Sequence, residues 1–375
     1  MFPRRQAVST YAKGPIMTLI LGNEDVDDLL TMDDVIKALE PAYRNIAEGR
    51  AVAGGRADLV SETPYDPDAR YWLKMASGIV PDLEVGTVRI NSDIVTWPKD
   101  GNKLRRVKAP LAPGKRWVGL VLLFSSATGE PLAIFPDGAI QRLRVAGSTG
   151  LSIKHMARED CHVLGLLGTG WQAGAHLEAA CAVRPITRVN VFSPTQGHAE
   201  KFAEDMSARR GIEVVAAITP EDAVKGADIV VTATNSMNNI FFADWVEPGM
   251  HLATIRDGEF ETAVLKRVDL LAIHDPGNMG DDHIHAPPGL TIPDLGKEIT
   301  EVEGFDEILK SPTLAQVVAG QAPARKNADQ VTCFLNYHGL GFQFTATGAA
   351  FYAKAVEAGR GHELPTEWFT EDVLP

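Results

Sequence analysis

The chain has 375 residues, more than one hydrophobic core of ordinary size accommodates, so two domains are expected. Hydrophobic residues at 45% and charged residues at 23% are proportions of a folded globular protein and exclude a disordered chain. The net charge of −13 argues against nucleic acid or an anionic membrane as a main partner.

Residues 1–16 carry Arg4, Arg5 and Lys13 without an apolar segment, so no secretory signal is expected and Met17 is read as a candidate start. No run of about 18 apolar residues reads as a membrane span. The run Thr31-Met-Asp-Asp-Val-Ile-Lys-Ala-Leu39 predicts a helix with Thr31 as its N-cap and two acids in its first turn. Val35, Ile36, Leu39, Tyr43 and Ile46 form its apolar face, and Pro41 is expected to bend or split it.

From Arg56 to Pro136 the pattern changes to short alternating strands, among them Tyr71–Met75, Gly86–Asn91 and Val118–Phe124. Residues 97–113 interrupt them with a polar, proline-bearing stretch. It is expected to be a surface loop whose Lys103, Arg105, Arg106 and Lys108 form a solvated basic face.

An α/β segment is expected over about Val145–Pro293. Within it, Val163-Leu-Gly-Leu-Leu167 reads as a buried parallel strand that turns through Gly168, Gly170 and Ala173 into a small-residue helix starting near Trp171. That is a dinucleotide-binding fingerprint: Gly168 allows the tight turn, Gly170 lets the main chain approach a pyrophosphate, and Ala173 permits close packing of helix on strand. The helix start supplies free N–H groups and a positive dipole end. Further strands follow at Arg188–Phe192 and within Ala227–Thr234. Ser193 and Thr195 stand where an acid would select the ribose hydroxyl of NAD. With His198 and Lys201 nearby, the balance leans to NADP over NAD.

Asp281-Asp-His-Ile-His285 has the composition of a metal cluster but is read as a polar loop before Pro287-Pro288, and no metal is expected. From Ser311 onward the chain is expected to be helical, through Ala349–Gly359, and to return to the first domain. Cys161, Cys181 and Cys333 show no metal-ligand spacing and are expected to be free thiols in a reducing cytoplasm.

Leu73-Lys-Met75, Ala127-Thr-Gly-Glu-Pro-Leu-Ala133, Arg144-Val-Ala-Gly-Ser148, Gly168-Thr-Gly-Trp-Gln-Ala173, Thr232-Ala-Thr-Asn-Ser236 and Pro248-Gly-Met-His-Leu252 followed by Asp257 occur in this order. In these blocks the chain resembles the ornithine cyclodeaminase and mu-crystallin family. The resemblance implies an α/β fold: a Rossmann dinucleotide-binding domain at 145–310, and an α+β substrate and dimerisation domain with an antiparallel sheet at 17–144 with 311–375. It also implies a homodimer that exchanges a hydride between NAD(P) and the Cα of an α-amino or α-imino acid.

Under the resemblance, Arg56 and Arg144 bind the substrate carboxylate, since arginine offers a planar fork. Arg142 competes with Arg144, and the alternative for Arg56 is pairing with a surface acid. Lys74 is expected to shuttle a proton at the amine or imine nitrogen, burial lowering its pKa, unless it snorkels at a strand edge. Asp257 is expected to hold the substrate ammonium or orient a water, with Glu259 as rival and Arg256 as its alternative partner. Cofactor contacts fall on Gly168, Thr169, Gly170, Trp171, Gln172, Ala173, Ser193, Thr195, Thr232, Ala233, Thr234 and Asn235.

Three features depart from the family: the residues after Lys74, the 97–113 insertion, and Val145 in place of a threonine. An amino-acid dehydrogenase or imine reductase is therefore preferred. The alternatives are a cyclodeaminase releasing ammonia with catalytic NAD, and a non-catalytic NADPH-binding protein.

Overall fold

The computed structural model describes residues 17–100, 103–104, 106–236, 238–278, 283–293 and 305–372. Two large sheets carry the architecture. One is mostly antiparallel, in the order Ile284–His285, Ala57–Ser61, Arg70–Val80, Val85–Thr96, Val118–Ser125, Pro131–Pro136, Met17–Ile20 and His362–Pro365. Val52–Ala53 and Val107–Ala109 pair beside it. The other is parallel throughout: Glu213–Ala216, Arg188–Phe192, Val163–Leu167, Ile229–Thr232, His251–Thr254, Thr332–Leu335 and Leu270–Ile273. Among the described residues no helix is long and apolar enough to cross a membrane.

The strands follow from their side-chain periods. Ile229–Thr232 is buried on both faces, as a parallel strand covered by helices must be. Arg70–Val80 and Val85–Thr96 alternate strictly, which puts Trp72, Lys74 and Ala76 on the same inward face as Arg89, Asn91 and Asp93. These two strands have 11 and 12 residues, longer than the expected segments, because each extends the ladder of the other from Arg70↔Val95 to Val80↔Val85.

Thr31 caps the helix Met32–Ala47, accepting from the Asp34 amide. Pro41 does not split the helix, which runs through all 16 residues. Pro41 and Lys37 are both exposed, so water can serve the carbonyl that loses its helical donor, while Leu39, Ala42 and Tyr43 anchor the buried side. Asp137–Met156 links the two sheets and packs closely on this helix. A Cβ on Gly147 would lie 2.8 Å from both Leu39 and Val35 side chains. The helix Gly341–Glu357 covers the inner face of the antiparallel sheet.

Two expectations are corrected. Residues 332–335, read as part of a helical return, form a strand in the interior of the parallel sheet, where four residues buried on both faces satisfy their backbone through two neighbours. Residues 97–113 are more than a loop: Val107–Ala109 adds to the sheet through Ile94↔Ala109 and Thr96↔Val107.

Candidate active site

The nucleotide side is set by backbone geometry. Gly168 has φ +118°, and a Cβ there would sit 2.4 Å from the Ala233 carbonyl oxygen, so only glycine makes this turn. Gly170 caps the helix Trp171–Val183 without a side-chain cap, and a Cβ on it would meet nothing within 4 Å. Free amides at a helix start, facing open space, suit a pyrophosphate. Ala173 is fully buried, while Gln172 faces the cleft with a buried Oε1 that lacks a partner. Ser193 and Thr195 follow the second strand, and Lys201 is engaged by Asp205 at 3.1 Å.

A cleft of about 530 Å³ opens between the sheets. It is lined by Lys74 and Arg144 from the substrate side and by Gln172, Thr234 and, just past the strand His251–Thr254 of the parallel sheet, Asp257 from the nucleotide side. Lys74 is buried, directly across the ladder from Asp58 and Asn91. Its ammonium donates to Asp93 Oδ2 at 3.3 Å, and Lys108 contacts the same oxygen at 2.8 Å. Burial, then the positive charges of Lys108 and Arg106, push the Lys74 pKa down to about 7 against the pull of Asp93.

Arg144 is buried beneath the cleft. Its Nη1 donates to Gln343 Oε1 at 3.1 Å, its Nε has no partner, and its guanidinium lies 4.7 Å from the centre of the Phe344 ring. Burial, reinforced by Arg89, lowers its pKa to about 9, which leaves it cationic at neutral pH. Gly339 leaves room for this guanidinium: a Cβ there would displace Arg144 Nη1 and crowd Gln343 Oε1. Behind Arg144, Gln343 Nε2 donates to Ser148 at 2.9 Å and to Tyr43, so the arginine is held by a buried polar network.

Arg56 also lines the cleft, but two of its nitrogens are forked onto Asp58 at 2.8 and 2.7 Å. The acid is buried rather than superficial. Burial would raise the Asp58 pKa, yet Arg56, Lys74 and His283 together hold it below the usual carboxylate range. Trp72 Nε1 donates to the same carboxylate at 2.9 Å.

Asp257 and Glu259 separate cleanly. Glu259 is fully buried and accepts from the hydroxyls of Thr232, Thr234 and Thr254 and from the Thr234 amide. Burial raises its pKa despite those bonds. Asp257 instead faces the cleft, with Oδ2 3.4 Å from His338 Nε2 and Oδ1 lacking a partner. Arg256 donates to the Asn235 carbonyl, 3.1 Å away. Arg142 leaves the cleft to pair with Asp27 at 2.7 Å.

Several expectations change. Thr232, among the cofactor positions, is fully buried and its hydroxyl is spent on Glu259, so its side chain cannot reach a ligand. Arg106 and Lys108 are cleft residues rather than a solvated face, because the added strand turns them inward. Arg105 lies outside the described residues, as do Asp281 and Asp282. His283, read within a polar loop, is buried in the cleft wall, its ring 5.1 Å from that of His338. Among the described residues no group of three or more acidic, histidine or cysteine side chains is placed to hold a metal. His338 escaped the sequence reading; its one signal is its position before Gly339, where the chain takes φ +48°.

The family model described as ornithine cyclodeaminase/mu-crystallin family matches residues 114–359, well over half of the chain. The ketimine reductase mu-crystallin of Rattus norvegicus is 32% identical over 233 residues, 62% of this chain and 69% of that protein. The alanine dehydrogenase of Archaeoglobus fulgidus is 28% identical over 354 residues, 92% of this chain and 98% of that protein. The structure of the Thermococcus litoralis Δ1-pyrroline-2-carboxylate reductase with NADH and L-proline shares the fold, with a TM-score of 0.71 at 22% identity, over 92% of this chain and 100% of that one. The names of these three are those of reductases and a dehydrogenase, an uncharacterised cyclodeaminase of Sinorhizobium fredii is 26% identical over 91% of this chain and 97% of that protein, and this chain belongs to the ornithine cyclodeaminase/mu-crystallin family.

Proposed function

We propose that the chain is an NAD(P)-dependent amino-acid dehydrogenase or imine reductase that exchanges a hydride with the Cα of an α-amino or α-imino acid. One observation carries this reading: Lys74, Arg144 and Asp257, from three distant segments, open into the same cleft as Gln172 and Thr234 beside the glycine turn. The parallel half holds the cofactor and the antiparallel half the acid. Bound NAD(P)H supplies the hydride.

Arg144, buried without an ion-pair partner among the described residues, takes the substrate α-carboxylate. Lys74, with a pKa near neutrality, gives a proton to the imine nitrogen in reduction and removes one from the amine in oxidation. Asp257, held by His338 on one oxygen, accepts from the resulting ammonium on the other. Arg56 clamps Asp58 and thereby steadies the strand opposite Lys74.

Ser193 and Thr195, with no acid at that strand end, favour NADP over NAD. The exposed Leu59, Ile79, Val118 and Leu120 on the outer face of the antiparallel sheet support a homodimer. We place the enzyme in the cytoplasm.

The test is NADPH or NADH consumption at 340 nm with cyclic imines, or with 2-oxo acids plus ammonium. The reading expects cofactor oxidation matched by amino-acid formation. A protein that binds NADPH yet oxidises it with none of these acids is a binding protein instead.

A further inference from the structure

Lys74 is surrounded for more than proton transfer. Its Nζ lies 3.3 Å from Asp93 Oδ2 and 5.1 Å from the centre of the Trp72 ring, and Arg144 opens into the same cleft. Asp93 is itself buried, and Lys108 holds it at 2.8 Å, closer than Lys74 does. The strand Val107–Ala109 makes this contact: pairing with Val95 turns Lys108 to the face that carries Asp93. The carboxylate is therefore kept in place whether or not Lys74 carries its proton. Its other oxygen, Oδ1, is buried and accepts no hydrogen bond.

An amine so placed has two uses. As an ammonium it donates a proton, and as a free amine it is a nucleophile toward a carbonyl carbon. Burial, then Lys108 and Arg106, bring the Lys74 pKa down to about 7; Asp93 opposes them, Arg56 adds to them, and Asp58 faces Lys74 across the ladder. An ordinary lysine at 10.5 is almost wholly protonated at neutral pH, so the free-amine fraction here is larger by roughly 10³.

We infer that Lys74 is also a covalent catalyst: with Arg144 seating the carboxylate of a 2-oxo acid, Nζ forms a Schiff base at C2 and hands that carbon on to ammonia. The site thereby gains a further activity, assembly of the imine that it reduces. The inference rests on the roles given to Arg144 and Lys74 under the hydride-transfer reading.

Nζ attacks C2, and the carbonyl π pair moves to oxygen. Nζ releases a proton to Asp93, which delivers it to that oxygen and so completes the carbinolamine. With a second proton, from solvent, the oxygen leaves as water with the C–O pair, and the nitrogen lone pair closes the C=N bond. The cationic Schiff base lies beside Asp93 and the Trp72 ring, both of which favour positive charge. Ammonia adds to C2, and its nitrogen passes one proton to Nζ. The C2–Nζ bond then breaks with its pair staying on the lysine, which leaves the substrate iminium free to accept the hydride. A preformed cyclic imine bypasses these steps and uses only the ammonium form of Lys74.

The experiment incubates the protein with pyruvate and sodium cyanoborohydride in the absence of cofactor and weighs its peptides by mass spectrometry. Cyanoborohydride reduces a Schiff base to a stable secondary amine. The expected result is a reduced pyruvyl group on Lys74, gained about 10–100-fold faster than on the exposed Lys37 and Lys225, since a less basic amine is also a weaker nucleophile. R144M slows labelling of Lys74 but not of Lys37. In parallel, heavy oxygen in the carbonyl of labelled pyruvate is lost to water faster with the wild type, and at the uncatalysed rate with K74M. Circular dichroism and NADPH titration confirm that both variants are folded.

Labelling of Lys74 no faster than of Lys37, or oxygen exchange that K74M sustains, overturns the inference and leaves hydride transfer to preformed imines intact. Unchanged labelling in R144M overturns the seating of the acid on Arg144. Selective labelling of Lys74 in a protein that oxidises NADPH with no acid or imine upholds the Schiff base and overturns the hydride-transfer reading.

Discussion

The two walls of the cleft are built from different material. On the parallel-sheet side the surface offered to a ligand is main chain: the turn at Gly168, the open approach at Gly170 and the start of Trp171–Val183. On the antiparallel side it is charge removed from water, in Lys74, Arg144 and the Arg56–Asp58 pair. Peptide dipoles need no counter-charge, so the first wall is at ease without its anion. Buried cations are unfavourable until an acid arrives, and the second wall therefore discriminates among acids by how much of that penalty they relieve.

Lys74 exposes this difference most sharply. K74M is expected to lower kcat about 10²–10⁴-fold, the range of general acid–base catalysis, while NADPH titration by fluorescence shows an unchanged Kd. In the wild type, reduction needs protonated Lys74, so its rate falls as pH rises through about 7. Oxidation needs the neutral amine and its rate rises over the same window. A pH profile without opposite limbs for the two directions removes Lys74 from the proton path.

The same lysine makes a stability prediction of opposite sign. Its folded pKa of about 7 lies below the ordinary 10.5, so the protonated form is disfavoured by folding. That penalty is fully present below pH 7 and fades as pH rises toward 10.5. K74M should accordingly melt higher than wild type at pH 6, with the gap closing by pH 10. Asp93 keeps Lys108 in the variant.

On the other wall, G168A forces a Cβ against the Ala233 carbonyl at an unfavourable φ, with an expected loss of about 1–3 kcal/mol in chemical denaturation and weaker NADPH binding. R144K keeps the charge but not the fork, and should raise KM for the acid about tenfold with little change in cofactor affinity. The smallest effect is expected from S193D: a few-fold shift from NADPH toward NADH in kcat/KM, read by comparing the two cofactors.

How far these features can be read from residues alone depends on how local their causes are. The cap at Thr31 and the strand–glycine–helix unit at Val163–Val183 are contiguous, and each needs only its own neighbours. Thr332–Leu335 offers four residues buried on both faces, too few to show a period. The direction in which Arg106 and Lys108 point is decided by pairing with Ile94–Thr96, which no local pattern of the insertion reveals. Resemblance drew attention to Lys74, Arg144 and Asp257, but His338 depends on where the chain crosses from one sheet to the other. At Pro41 the converse holds: a local signal for a split was outweighed by the packing of Leu39 and Tyr43.

That crossing has a consequence for biosynthesis. Thr332–Leu335 fills the slot between His251–Thr254 and Leu270–Ile273, two strands translated long before it. Until it leaves the ribosome the older strands have a missing neighbour, and the helix Gly341–Glu357 that roofs the other sheet is later still. Both halves thus wait on the same final stretch of polypeptide, and a nascent chain stalled before residue 332 would expose two unfinished sheets at once.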